Sequence, residues 1–232
     1  MNGVYEGKGK LYQEGRLIYE GDFVNGAYEG TGKLYGTKRN LLYQGNFLEG
    51  VYEGKGILYM SSGEKKYEGF FVAGKHEGKG KLYRKGKKLV YEGIFVEGKY
   101  EGKGKQYNKN GKLHYEGDFV NGVYDGQGIL YKKEKKVYEG SFVLGVYSGS
   151  GKLFDEFTEN LIYHGDFYQG LYEGNGNLYD TSTKVLIYTG GFRNGLYDGQ
   201  GKLYNKKGVL IYEGGFSLGL YNGEGVLYRT NG

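Results

Sequence analysis

The pattern Tyr-x-Gly-x-Phe recurs nine times along this chain, and that recurrence constrains the fold more than any other feature. It stands at Tyr19/Gly21/Phe23, Tyr43/Gly45/Phe47, Tyr67/Gly69/Phe71, Tyr91/Gly93/Phe95 and Tyr115/Gly117/Phe119, then at Tyr138/Gly140/Phe142, Tyr163/Gly165/Phe167, Tyr188/Gly190/Phe192 and Tyr212/Gly214/Phe216. Successive copies lie 24, 24, 24, 24, 23, 25, 25 and 24 residues apart. A fixed period of this kind marks a repeat architecture, in which each unit buries its apolar face against its neighbours. A second pattern, Gly-x-Tyr-x-Gly-x-Gly-x-Leu-Tyr, follows each copy of the first, as at Gly26, Tyr28, Gly30, Gly32, Leu34 and Tyr35. It occurs ten times, the extra copy opening at Gly3, with His76, Gln106 and Phe154 as departures.

Each unit reads as a β-hairpin. Strict alternation places Tyr19, Gly21 and Phe23 on one face of an outgoing strand, and Tyr28, Gly30, Gly32 and Leu34 on one face of a return strand. Between them Asn25-Gly26 is a two-residue turn signal, repeated at Asn121-Gly122 and Asn194-Gly195. Leu144-Gly145 and Leu218-Gly219 occupy the same place, and leucine disfavours positive φ, so a different turn type with only glycine at positive φ is expected there. A two-residue turn sets Phe23 opposite Tyr28 and Gly21 opposite Gly30, and by the same count Glu68 opposite Lys79 and Glu92 opposite Lys103. Asn110-Gly111, Ser62-Gly63 and Lys207-Gly208 mark a second turn that leads into the next hairpin and absorbs the variation in spacing. The expected fold is all-β: an elongated, solenoid-like antiparallel meander of about ten stacked β-hairpins, one per 24-residue repeat.

Composition explains how such a sheet could hold together. The 232 residues include 48 glycines and 28 tyrosines, with no proline, cysteine or tryptophan. Because the glycines are periodic, they are read as places where rings lie over bare backbone. The repeated Tyr and Phe are read first as core. Where a groove leaves rings accessible, Tyr91, Phe95, Tyr100, Tyr115, Phe119 and Tyr124 are the candidate binding surface. Two acidic rows follow the repeat, the second of them once per unit. One holds Glu20, Glu68, Glu92, Glu116, Glu139 and Glu213, and the other Glu6, Glu29, Glu53, Glu77, Glu101, Asp125, Glu173 and Asp198. Both read as a solvated face.

A net charge of +5 is too small to imply nucleic acid, and no apolar stretch approaches the roughly 20 residues of a membrane-spanning helix. No secretory leader pattern opens the chain and no cysteine is present, which points to a cytoplasmic location. No phosphate-binding loop exists, and the repeated Gly-x-Gly lacks a third glycine and a following helix. His76, His114 and His164 fall at different repeat positions, so no metal pair is expected, and His76 reads as a packing substitute for tyrosine. The chain is therefore expected to be no enzyme, with no catalytic residue, cofactor or metal. Lys132, Lys133, Lys135 and Lys136 form one short basic cluster that could meet an anionic membrane surface.

The pattern Tyr-x-Gly-x-aromatic-x-x-Gly-x-x-x-Gly-x-Gly resembles the MORN (membrane occupation and recognition nexus) repeat over essentially the whole chain. The resemblance implies stacked hairpins across residues 1–232 as a single array, nine full repeats plus one leading half repeat. It also implies scaffolding, dimerisation, protein partners and, in some members, acidic phospholipids. Here Phe stands where Trp is common, Glu or Asp where His is often found (Glu29, Asp125), and the period is mostly 24, so the chain looks more like the bacterial variants. The expected function is a non-catalytic scaffold for protein–protein interaction or self-association. Peripheral binding to anionic membranes and carbohydrate binding are the alternatives. Open sheet ends are templates for another strand, and Tyr5, Tyr12, Tyr221 and Tyr228 are the candidate association ends.

Overall fold

A computed structural model describes residues 3–229. Among them are 19 β-strands and no helix, so none is long and apolar enough to cross a membrane. The fold is the all-β antiparallel meander that the repeat demands. The chain divides into two compact units, Met1–Leu113 with Phe119–Gly122, and His114–Asp118 with Val123–Gly232. Within the first unit each strand from Gly7–Gln13 to Lys99–Tyr107 pairs antiparallel with the next in sequence. The second unit repeats this from Val123–Lys132 to Leu220–Leu227.

Every repeat has an outgoing strand such as Arg16–Val24 and a return strand such as Ala27–Tyr35. Phe23 faces Tyr28 as the two-residue turn requires. The tight turns are more uniform than leucine at two of them suggested. In all nine, both central residues take positive φ, from Asn25 and Gly26 (49° and 79°) to Leu144 and Gly145 (50° and 82°) and Leu218 and Gly219 (51° and 82°). This is the primed turn whose twist matches the flanking strands. The neighbouring repeat enforces it, because the turn glycine donates its N–H to the carbonyl of the preceding return strand. Gly26 bonds Tyr5, Gly50 bonds Tyr28, Gly145 bonds Tyr124 and Gly219 bonds Tyr197, at 2.8–3.0 Å.

The register beyond the turn also differs from simple counting. Gly21 pairs with Gly32 rather than Gly30, because Asp22 pairs with Glu29 and a bulge takes up Gly30 and Thr31. Gly30 adopts φ +55°, where a side chain is disfavoured, and the Asp22 carboxylate accepts the Thr31 N–H at 3.2 Å. The same shift moves Glu68 opposite Lys81 and Glu92 opposite Lys105. The result is one glycine per strand in a row, as in Gly9, Gly21, Gly32, Gly45 and Gly56. Over this row lie the first tyrosines of the repeats. A Cβ on Gly32 would sit 2.3 Å from the Tyr19 hydroxyl and 2.5 Å from its ring. The second turn forms as expected at Asn110-Gly111, Ser62-Gly63 and Lys207-Gly208, with N–H donated from the glycine to Asn108, Met60 and Asn205.

Candidate interaction surfaces

A single layer of sheet has two faces, and here one of them becomes the core. Tyr19, Tyr43, Tyr67, Tyr91, Tyr115, Tyr138, Tyr163 and Tyr188 are fully buried, and the phenylalanines of the first pattern are nearly so. Each such tyrosine stacks on the ring at the second position of its own hairpin. Tyr19 lies 3.8 Å from Tyr28 at 7° and Tyr91 lies 3.8 Å from Tyr100 at 4°. Two phenylalanines close the edges, as Phe23 and Phe47 do around Tyr19 at 5.0 and 5.3 Å. Each pair contributes about 0.5–1.5 kcal/mol beyond burial, and the ladder passes from one repeat to the next. The buried hydroxyls are satisfied locally: Tyr19 donates to the Asp22 carbonyl and Tyr91 to the Ile94 carbonyl, both at 3.0 Å. Burial pushes the phenols of Tyr19, Tyr67, Tyr91 and Tyr188 up to about 12.

This geometry corrects part of the expected binding surface. Tyr91, Phe95, Tyr115 and Phe119 are shut inside the core: each tyrosine ring is spent covering two glycines, Phe95 is wedged between the Tyr67–His76 and Tyr91–Tyr100 stacks, and Phe119 closes on Tyr91 and Tyr100. Tyr100 and Tyr124 are half-buried, their inner faces taken by Tyr91 and Tyr115. His76 fills a tyrosine slot as expected, stacked on Tyr67 at 3.7 Å and 7°. At the ends of the array Tyr5, Tyr12, Tyr221 and Tyr228 are exposed. Tyr5 tilts against Phe23 at 5.4 Å and Tyr221 stacks on Tyr212 at 3.9 Å.

The two acidic rows behave differently. The first is a solvated rung of ion pairs, such as Glu20 with Lys10 at 3.0 Å, Glu92 with Lys81 at 2.8 Å and Glu213 with Lys202 at 3.0 Å. Such exposed pairs are worth little individually. The second row is structural, which the alternation of a single strand did not reveal. Glu29 accepts the backbone N–H of Glu49, Glu53 that of Ala73, Glu77 that of Glu97 and Glu101 that of Asn121, at 2.9–3.0 Å. Asp125 does the same for Leu144 at 3.2 Å and Glu173 for Asn194 at 3.0 Å. Each carboxylate holds the first residue of the next repeat's turn in its left-handed conformation. The sequence signal was its phase: an acid once per repeat, 19–21 residues before a turn.

The lysine cluster is tied down within the chain. Lys132 pairs with Glu156, Lys135 with Glu159 at 3.7 Å, and Lys136 with Glu139 at 2.8 Å. Lys133 lies 5.5 Å from the Phe157 ring centre. Among the described residues no group of three or more His, Asp or Glu side chains is placed to hold a metal ion.

What remains outward is the edge carrying the tight turns. Leu48, Val72 and Val96 in the first unit, and Val143, Tyr168 and Leu171 in the second, flank tight turns and are all well exposed. Leu144 and Leu218, at the turn tips, are 73% and 72% exposed. Stacked hairpins with an aromatic core, glycine row and apolar turn edge define a tandem-hairpin repeat scaffold. The family comparison assigns it. The MORN repeat family matches residues 19–40, 43–65, 67–87, 91–113, 115–133, 138–155, 163–182, 188–209 and 212–232, most of the chain, which therefore belongs to that family. No match is found among curated proteins.

Proposed function

We propose that this chain is a non-catalytic interaction scaffold that binds protein surfaces, copies of itself included, along its turn edge, and that it does so in the cytoplasm. The observation that carries this reading is the pair Leu144 and Leu218. Both hold φ near +50°, a conformation leucine resists, and both expose most of their side chain to water. Asparagine occupies the same turn position as Asn25, Asn121 and Asn194, and suits it better. Leucine at these tips therefore opposes both backbone preference and solvation, and contact with a partner would repay it. Exposed apolar side chains in register along one edge are the kind of patch that marks protein interfaces.

The test is sedimentation velocity across a concentration series, comparing the protein with the double variant Leu144→Asn, Leu218→Asn. Concentration-dependent association is expected for the parent and its loss for the variant, with the variant's thermal stability unchanged or raised. A parent that stays monomeric at the highest attainable concentration, or association untouched by the double substitution, would overturn self-association along this edge.

A further inference from the structure

We infer a second docking site, on the polar face of the first unit, for an acidic peptide with bulky apolar residues between its carboxylates. It deepens the scaffold reading by naming the chemistry of one partner, and it rests on that reading. The site is a recess of about 620 Å³ spanning the strands from Val51–Tyr59 to Lys99–Tyr107. A row of side chains crosses it in register: Lys55 faces Phe70 and Lys79 faces Ile94, with Lys103 on the following strand.

Two of these residues put a large apolar side chain where no other hairpin has one. The position of Phe70 and Ile94 is held in neighbouring hairpins by Asp22, Asn46 and Asp118. There a carboxylate caps the bulge, Asp22 accepting from Thr31 at 3.2 Å and Asp118 from Gln127 at 3.0 Å. Phe70 and Ile94 offer no acceptor, and Phe70 leaves 49% of its surface in water. A capping acid replaced by an exposed phenylalanine is unfavourable for the isolated chain, so its use lies in what covers it.

Charge selects the occupant. Among the described residues neither Lys55 nor Lys79 has a carboxylate partner within ion-pair distance, whereas the recess's own acids are engaged, Glu68 with Lys65 at 2.9 Å and Glu92 with Lys81 at 2.8 Å. Lysines on alternate strands are spaced about 9–10 Å apart, twice the strand separation. A polyproline-type peptide presents every third residue on one side at about 9 Å. Carboxylates three residues apart would meet Lys55 and Lys79, with apolar side chains falling on Phe70 and Ile94. A bilayer fits less well, because a flat surface cannot follow the recess that these side chains line.

The probe is a fluorescein-labelled heptapeptide with Glu at positions 1, 4 and 7, Pro at 2 and 5, Phe at 3 and Leu at 6, followed by anisotropy. Saturable, salt-sensitive binding is expected, weakened at least tenfold by Phe70→Asp, by Lys55→Glu with Lys79→Glu, and by Gln in place of the peptide's Glu. Phe70→Asp restores the residue that caps other bulges, so it tests binding without endangering the fold. No saturable binding, or equal binding by the variants, overturns the site. Binding of phosphatidylserine vesicles that depends on Phe70 while the peptide is ignored overturns it in favour of a membrane. Sedimentation keeps the two readings apart: a parent protein that associates along the turn edge but does not bind the peptide defeats this site alone, and Phe70→Asp is expected to lose the peptide while keeping that association.

Discussion

At the scale of single residues, most of what recurs in this chain is consumed by the fold. The carboxylate row shows it best at a gap. Ser148 stands where other repeats carry Glu or Asp, so the turn at Gln169 has no acid to receive its N–H. Ser148→Glu should supply one and raise stability by about 0.5–1.5 kcal/mol, the net range for a hydrogen bond in a folded protein, measured by chemical denaturation. The buried tyrosines set the response to alkali. The phenols of Tyr19, Tyr67, Tyr91 and Tyr188 sit at about 12 in the folded state, against about 10 when unfolded, because burial disfavours the phenolate. A folded pKa raised in this way contributes stability that is whole below pH 10 and is lost as pH rises toward 12. Circular dichroism should show a cooperative loss of structure in that window, with the core phenols ionising only as structure is lost. Ionisation of Tyr19, Tyr67, Tyr91 and Tyr188 near pH 10 with the sheet intact would contradict a closed aromatic core. The glycine row is equally strict: a Cβ at Gly93 would meet the Tyr91 hydroxyl at 2.4 Å and the Gly104 Cα at 2.8 Å. Gly93→Val should therefore destabilise by about 2–3 kcal/mol or more, while Lys103→Ala changes little. Equal melting temperatures for the two variants would remove the packing role assigned to that glycine.

At the scale of the hairpin, the strand period, the pairing of Phe23 with Tyr28 and the aromatic core were legible from alternation alone. The register beyond the turn was not. Gly30 and Gly32 are identical in sequence, and only backbone conformation distinguishes the bulged one from the one that carries a ring. Counting from the turn therefore placed Gly21 opposite the wrong glycine and Glu68 opposite the wrong lysine. Glu29 and its equivalents looked solvated because their partner is an N–H in the next repeat's turn, which no single strand reveals. The turn type at Leu144 was misread for a related reason. Intrinsic preference argues against leucine at positive φ, but the Asp125 carboxylate and the Tyr124 carbonyl hold the turn from the neighbouring hairpin. Relieving that conflict should show directly: Leu144→Asn is expected to stabilise the protein by about 1 kcal/mol in denaturant titrations. The four rings Tyr91, Phe95, Tyr115 and Phe119 were candidates because periodicity marks a residue as repeated without saying which side of the sheet is covered.

At the scale of the whole molecule, the account separates what repeats from what varies. Tyrosine, phenylalanine, glycine and the second acidic row build each unit, and within a unit hairpins rely on bonds and rings supplied by the one before. Interaction is left to side chains outside the motif, above all the apolar residues of the turn edge. Photo-crosslinking tests this most directly. Benzoylphenylalanine placed at Leu144, and separately at Lys152 on the polar face, reports which side of the sheet meets another chain. The account predicts intermolecular adducts from position 144 and none from position 152. Adducts from 152 with none from 144 would contradict it.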